Sequence, residues 1–259
     1  QAEKFSSDAQ GKWRTHLPLD GLGNHQHAVE IFWPKKNYVT KKFTYSMNST
    51  IVSGMASVDD LIGDDKGLAG QYIKPGYQVD NCYLDIDSVH AKTGGNILEL
   101  NIKMCDISNA WAPPNGFDHL ALTIYFNDKK RLGHKALPLL NSAMPQKGTW
   151  NVAHSAFGWG NYVFATNGAS ATNEGSILNY TPSIEVDPQS KEIKMVYQAD
   201  RLGIDDWLSV DLYLTTWDKD EGGDYRLINN TPSKWHFSHK NQRSPKIADD
   251  AFLTIVPQE

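Results

Sequence analysis

Apolar and polar residues alternate along most of this chain, the signature of strands that bury one face. Leu120, Leu122, Ile124 and Phe126 alternate with Ala121, Thr123 and Tyr125, and Leu208, Val210, Leu212 and Leu214 alternate with Trp207, Ser209, Asp211 and Tyr213. Shorter segments of the same kind are Val29–Trp33, Trp150–His154, Tyr162–Ala165, Ser183–Val186, Ile193–Gln198 and Phe252–Val256. Turn-forming clusters such as Asn167-Gly168, Asp187-Pro188 and Glu221-Gly222-Gly223-Asp224 separate them. The best helical candidate is Arg131–Leu140, and it contains Gly133 and Pro138. Many short half-apolar strands with little helix predict an all-β fold, an antiparallel β-sandwich.

Residues 1–45 differ in texture. They hold Gly21-Leu22-Gly23, a His25-Gln26-His27 pair and a basic stretch from Lys35 to Lys42. They are expected to be an N-terminal extension contributing one strand, with the sandwich domain spanning 46–259.

The two cysteines flank a predicted hairpin whose turn is Lys92-Thr93-Gly94-Gly95-Asn96. Matching the apolar faces places Leu84 opposite Met104 and Ile86 opposite Ile102. That register buries Cys82 and turns Cys105 to the other face. Two free thiols follow, unless a bulge shifts the register.

Composition narrows the functional classes. The chain has 259 residues, 40% hydrophobic and 21% charged, and a net charge of −5. This is a globular composition with no basic footprint for nucleic acid. No stretch approaches the roughly 20 apolar residues of a spanning helix. The three Asn-x-Thr sequons, at Asn48, Asn179 and Asn229, carry little weight in a chain rich in Asn and Thr. More telling are 8 Trp and 11 Tyr, many beside Gly, Pro and Asn in loop-like sequence.

The segment Asp59-Asp60-Leu61-Ile62-Gly63-Asp64-Asp65-Lys66-Gly67 is rich in acids and glycine. Calcium takes six to eight hard oxygens in flexible geometry. Asp60, Asp64 and Asp65 supply such a set, and Asp80 closes it from the next strand. The spacing is not that of an EF-hand, and a solvated turn with carboxylates capping backbone amides is the alternative. No glycosidase carboxylate pair, Gly-x-Ser-x-Gly, His-Glu-x-x-His or phosphate-binding glycine loop stands out. No catalytic residue is assigned.

Together these motifs look familiar. Gly63-Asp64-Asp65-Lys66-Gly67, Tyr72, Pro75, Val79-Asp80 and the loop Asp106–Phe117 resemble the C-terminal domain of glucodextranase and its relatives, which also occurs in amylopullulanases. The far end fits as well: Trp217-Asp218, Gly223-Asp224-Tyr225-Arg226, Trp235-His236-Phe237 and Pro245-Lys246-Ile247-Ala248-Asp249-Asp250. The resemblance covers about residues 50–257. It implies a sandwich related to carbohydrate-binding modules, accessory to α-glucan-degrading enzymes at the cell surface.

Pyranose rings stack on exposed aromatics while Asp, Asn, Arg and His take the hydroxyls. The candidates are Trp159, Tyr162, Trp150, Trp217 and Trp111; for any one of them, a ring folded over a core edge is the default. Trp111 and Trp235 stand at family positions, which points to structural roles. Trp159, between Gly158 and Gly160, is the preferred platform. The expectation is a non-catalytic, secreted, periplasmic or cell-surface module that binds a polysaccharide or oligosaccharide, α-glucan or related, with a structural Ca2+. Its further partners are expected through self-association or attachment to a larger enzyme. The alternative is a surface or matrix assembly subunit that uses residues 1–45 for subunit contacts.

Overall fold

The computed structural model describes residues 28–30, 42–44, 53–219 and 222–258. Two six-stranded antiparallel sheets face each other, as the alternating pattern predicts. The first runs Ser176–Ile177, Gly160–Ala165, Val152–Phe157, Ala121–Asp128, Val210–Trp217, Asp249–Thr254. The second runs Ser183–Asp187, Glu192–Gln198, Ile97–Met104, Ile86–Gly94, Ser53–Asp59, Val256–Pro257.

The core lies where the two inner faces meet. Leu122, Ile124, Phe126, Val152, Leu212 and Leu214 from the first sheet are fully or almost fully buried. So are Val89, Leu98, Leu100, Ile102, Ile193 and Met195 from the second. The expected inward set of the central strand therefore holds. Its outward set is also buried: Thr123 and Tyr125 lie beneath Pro138, Glu174 and Tyr225, which come from loops over the outer face. Val210–Trp217 is buried along its whole length for the same reason. Trp207–Ser209 forms a turn of 3-10 helix before that strand begins. The helical expectation for 131–140 is not met: Ala136–Leu137 pairs with Ser142–Ala143, and Gly133 packs against the Trp150 carbonyl with no space for a Cβ.

One polar bridge crosses the core. His154, fully buried, is hydrogen-bonded through Nδ1 to Tyr197 Oη and through Nε2 to Asn161 Oδ1, each at 2.8 Å. Burial pushes its pKa from 6.5 down to about 4, against a smaller upward pull from Asn161. Between these two values the unfolded chain takes up a proton that the native state refuses, so stability falls as pH drops through that window. The expected loss from this group is roughly 3 kcal/mol. Chemical denaturation at about pH 7 and about pH 4 checks it: His154→Gln should lose that much less on acidification than the parent chain. The subtraction cancels the opposite trend of buried carboxyls.

The cysteine expectation is overturned. Cys82 and Cys105 form a disulfide, with Cα atoms 5.6 Å apart. The hairpin turn is only Gly95-Asn96, because Gly94 pairs with Ile97. Lys92 and Thr93 belong to the strand, and a bulge lies between Ile86 and Ser88. Ile86 therefore faces Met104, and Val89 faces Ile102. Cys82 lies outside the strand, in a turn closed by Asp85 N–H donating to its carbonyl at 3.2 Å. Strand parity does not govern it, and the turn returns it to Cys105.

Near the N-terminus, Ala28–Glu30 pairs antiparallel with Lys42–Thr44. Ile31–Trp33 of the expected strand, the His25–His27 pair, the basic stretch up to Lys41 and Asn48 lie outside the described residues. So does most of the segment expected as an extension.

Candidate functional site

Two features stand out on the surface: a row of aromatic rings and a cluster of carboxylates.

The row is assembled from separate loops. Trp111 and His119 come from the connection after Met104, Trp159 from a two-residue hairpin turn, Tyr77 and Tyr83 from the segment following the acidic loop, and Trp235 from the loop before Phe237. Trp159 and Trp111 have ring centroids 5.9 Å apart, Trp111 and His119 4.2 Å, His119 and Tyr77 5.0 Å, and Tyr77 and Trp235 5.9 Å. Tyr83 stacks beside His119 at 6.1 Å. Trp111 is 50% exposed and Trp235 54%, while Trp159, Tyr77 and Tyr83 are partly buried and the His119 side chain is only 12% exposed.

The signature loop explains how these rings are held. Asn115 donates from Nδ2 to the carbonyls of Phe157 at 2.7 Å and Gly160 at 3.0 Å, and from its N–H to Gly158 at 3.1 Å. It therefore latches the Trp111 loop to the Trp159 hairpin. Gly116 has φ +80, a turn conformation natural to glycine, and Phe117 drops into the core. Gly158 lies so close to Phe117 O and the Pro113 ring that a Cβ would sit 2.7 Å and 2.9 Å from them. Asp118, buried, accepts the Trp111 N–H at 2.6 Å. On the other flank, buried Asp218 accepts Tyr77 Oη–H and the Arg226 Nε–H, the latter at 3.1 Å. Gln78 Nε2 reaches both Asp218, at 3.3 Å, and the His119 carbonyl, at 3.4 Å. Burial, reinforced by the Asp218 charge, raises the Tyr77 pKa well above the usual phenol range, so the hydroxyl stays a donor.

Among the sequence candidates, Trp159 and Trp111 share this row. Tyr162 is 45% exposed on the Gly160–Ala165 strand, beside Phe157 and Phe164. Trp150 and Trp217 are buried and have no face to offer a ligand. Trp111 and Trp235, whose family positions point to structural roles, are both about half exposed, and Tyr77, Tyr83 and His119 are not among the candidates. The family motif contained Trp235, but nothing in the order of residues signals that it meets Tyr77.

In the acidic cluster, carboxylate oxygens of Asp60, Asp64 and Asp249 all lie within 4.8 Å of one another. Asp65 instead points inward to an ion pair with Lys74, both nearly buried. Asp80 is exposed, in the turn that follows Pro75. Neither belongs to the group. Asp249 sits in the far-end motif, and this repeat of acids was the available signal. Gly67 N–H donates to Ala248 O at 2.8 Å, which carries the loop to that strand. Asp85, fully buried beside Asp64 and Asp65, accepts the Gly63 N–H at 2.6 Å through Oδ2. Its Oδ1 and Asp60 Oδ2 have no hydrogen-bond partner among the described residues. Burial, then the charges of Asp60 and Asp64, push Asp249 up to about 8. Burial, then the charges of Asp65 and Asp64, push Asp85 up to about 6. An all-oxygen donor set with orphaned buried atoms fits a hard divalent cation.

The fold is a two-sheet β-sandwich that presents a group of aromatic rings, and no helix among the described residues is long and apolar enough to cross a membrane. More narrowly, residues 55–259 match the family of the C-terminal, SLH-like binding module of glucodextranase, and the chain belongs to that family. No curated protein matches it.

Proposed function

We propose that this domain is a non-catalytic accessory module that binds polysaccharide, α-glucan or a related chain, on the shelf centred on Trp111 and Trp159. The observation that carries the reading is the contact of half-exposed Trp111 with the partly exposed Trp159, held by a hydrogen-bonded frame in a family of binding modules. Such a frame keeps the rings in place before the sugar arrives, which lowers the ordering cost of binding. The disulfide adds a compartment argument, since such bonds persist in oxidising surroundings. We place the module outside the cytoplasm, secreted or at a cell surface.

Affinity electrophoresis in soluble starch tests the reading. Trp111→Ala should weaken retardation at least about tenfold while the melting temperature holds, because half of the ring is in solvent. No retardation of the parent chain by any glycan in a panel would sink the proposal.

The reading includes a structural Ca2+ at Asp60, Asp64 and Asp249, with Asp85 behind them. Bound there, a cation neutralises carboxyls that burial otherwise drives toward protonation. At about a hundredfold over its Kd it adds roughly 2.7 kcal/mol of stability. EDTA should lower the melting temperature, and Asp249→Asn should remove that response. A melting temperature indifferent to EDTA rules the ion out.

A further inference from the structure

The ring shelf is longer than one sugar. Trp159, Trp111, His119, Tyr77 and Trp235 follow one another at centroid steps of 5.9, 4.2, 5.0 and 5.9 Å, each step close to the size of a single pyranose. Successive planes are inclined by 39°, 55°, 41° and 36°. A flat ribbon or crystalline face could lie on only one such ring at a time. A chain that turns as it advances can meet Trp159 and Trp111 on one side and Trp235 on the other, passing over the largely buried His119.

The centre of the row carries two features that cost stability in the free protein. His119 has φ +58, a backbone conformation that residues other than glycine seldom adopt. Its Nδ1 is buried without a hydrogen-bond partner among the described residues. Its ring is nonetheless held between Trp111 and Tyr77, with Asp118 Oδ1 4.0 Å from Nε2. Strained backbone and unsatisfied polar atoms gather where a site is shaped for a ligand. At one end, the Lys234 ammonium lies 4.9 Å from the Trp235 ring centroid and adds a hydroxyl-binding donor.

We infer that the shelf takes the interior of a soluble, helically winding glucan about four sugars long, and does not read a single sugar or a chain end. This rests on the carbohydrate reading above. Trp159 and Trp111 hold one side of the bound segment, Trp235 the other, and His119 marks the bend between them.

Titration calorimetry with the maltooligosaccharides from maltose to maltoheptaose tests it. Affinity should rise at least about tenfold from maltose to maltopentaose and then level off. Borohydride reduction of the maltoheptaose end should leave its affinity unchanged. Trp235→Ala, with its melting temperature checked, should collapse the ratio of maltopentaose to maltose affinity toward one. Trp159→Ala should do the same from the opposite side. Equal affinity for every length, sensitivity to the reduced end, or a ratio untouched by Trp235→Ala would each overturn the inference while leaving sugar binding standing. If no member of the series binds, the underlying α-glucan reading falls, and this inference with it.

Discussion

Trp217→Ala should lower the unfolding free energy by about 3–5 kcal/mol. The side chain is almost completely buried, stacked on Phe237 at 4.1 Å and met edge-on by Tyr72 at 5.6 Å. Its Nε1–H donates to the Arg226 carbonyl at 3.0 Å. Truncation leaves a large cavity at the end of the Val210–Trp217 strand and removes the indole hydrogen bond, so transfer, packing and hydrogen-bond losses fall on one site. Tyr72 donates to the Pro245 carbonyl, and Phe237 belongs to the strand pair Ile228–Asn229 with Phe237–Ser238. The ring therefore fastens two loops to the outer face of the first sheet. Urea denaturation measures the effect through a lower midpoint at unchanged slope. A loss under about 1 kcal/mol would mean that the loops collapse onto the vacated space without penalty. Trp111 and Trp217 thus make opposite predictions: one substitution costs binding and little stability, the other stability first.

Removing the disulfide should cost about 3 kcal/mol, the loop-closure entropy for cysteines 23 positions apart. For a domain of this size that lowers the melting temperature by about 10 °C. The paired variant Cys82→Ser with Cys105→Ser should match the chemically reduced chain. Binding should weaken as well, because Cys82 immediately precedes Tyr83 and Cys105 begins the connection that carries Trp111 and His119. Equal stability with and without the bond would show that the hairpin Ile86–Met104 and its turn already restrain the unfolded chain to the same degree.

What was legible in the sequence was the part written locally. Leu122, Ile124 and Phe126 alternate because a sandwich has one inside, and their neighbours on the sheet repeat the rule. The other side of that same strand was misleading. Thr123 and Tyr125 look like solvent-facing residues, yet loops distant in sequence cover them. The cysteine parity failed because a two-residue turn and a bulge changed the register, and because Cys82 is not in a strand at all. The acidic site was half legible: Asp60 and Asp64 are local, whereas Asp249 arrives from the last long strand. Aromatic content was plain, but exposure was not. Trp150 and Trp217 lie at strand ends and Trp111 in a loop, and the packing of remote loops decides which ring meets water.

The short pairing of Val256 with Met55 and Pro257 with Gly54, extended by Gln258 N–H donating to Ser53 O at 2.8 Å, brings the two ends of the sandwich to one corner. Tension applied through both ends would therefore load these contacts in series, peeling them open one after another, where sheared strands would share the load. Under pull, the Val256–Pro257 edge comes away from Ser53–Asp59 first, and the remaining sheets are spared until it has opened.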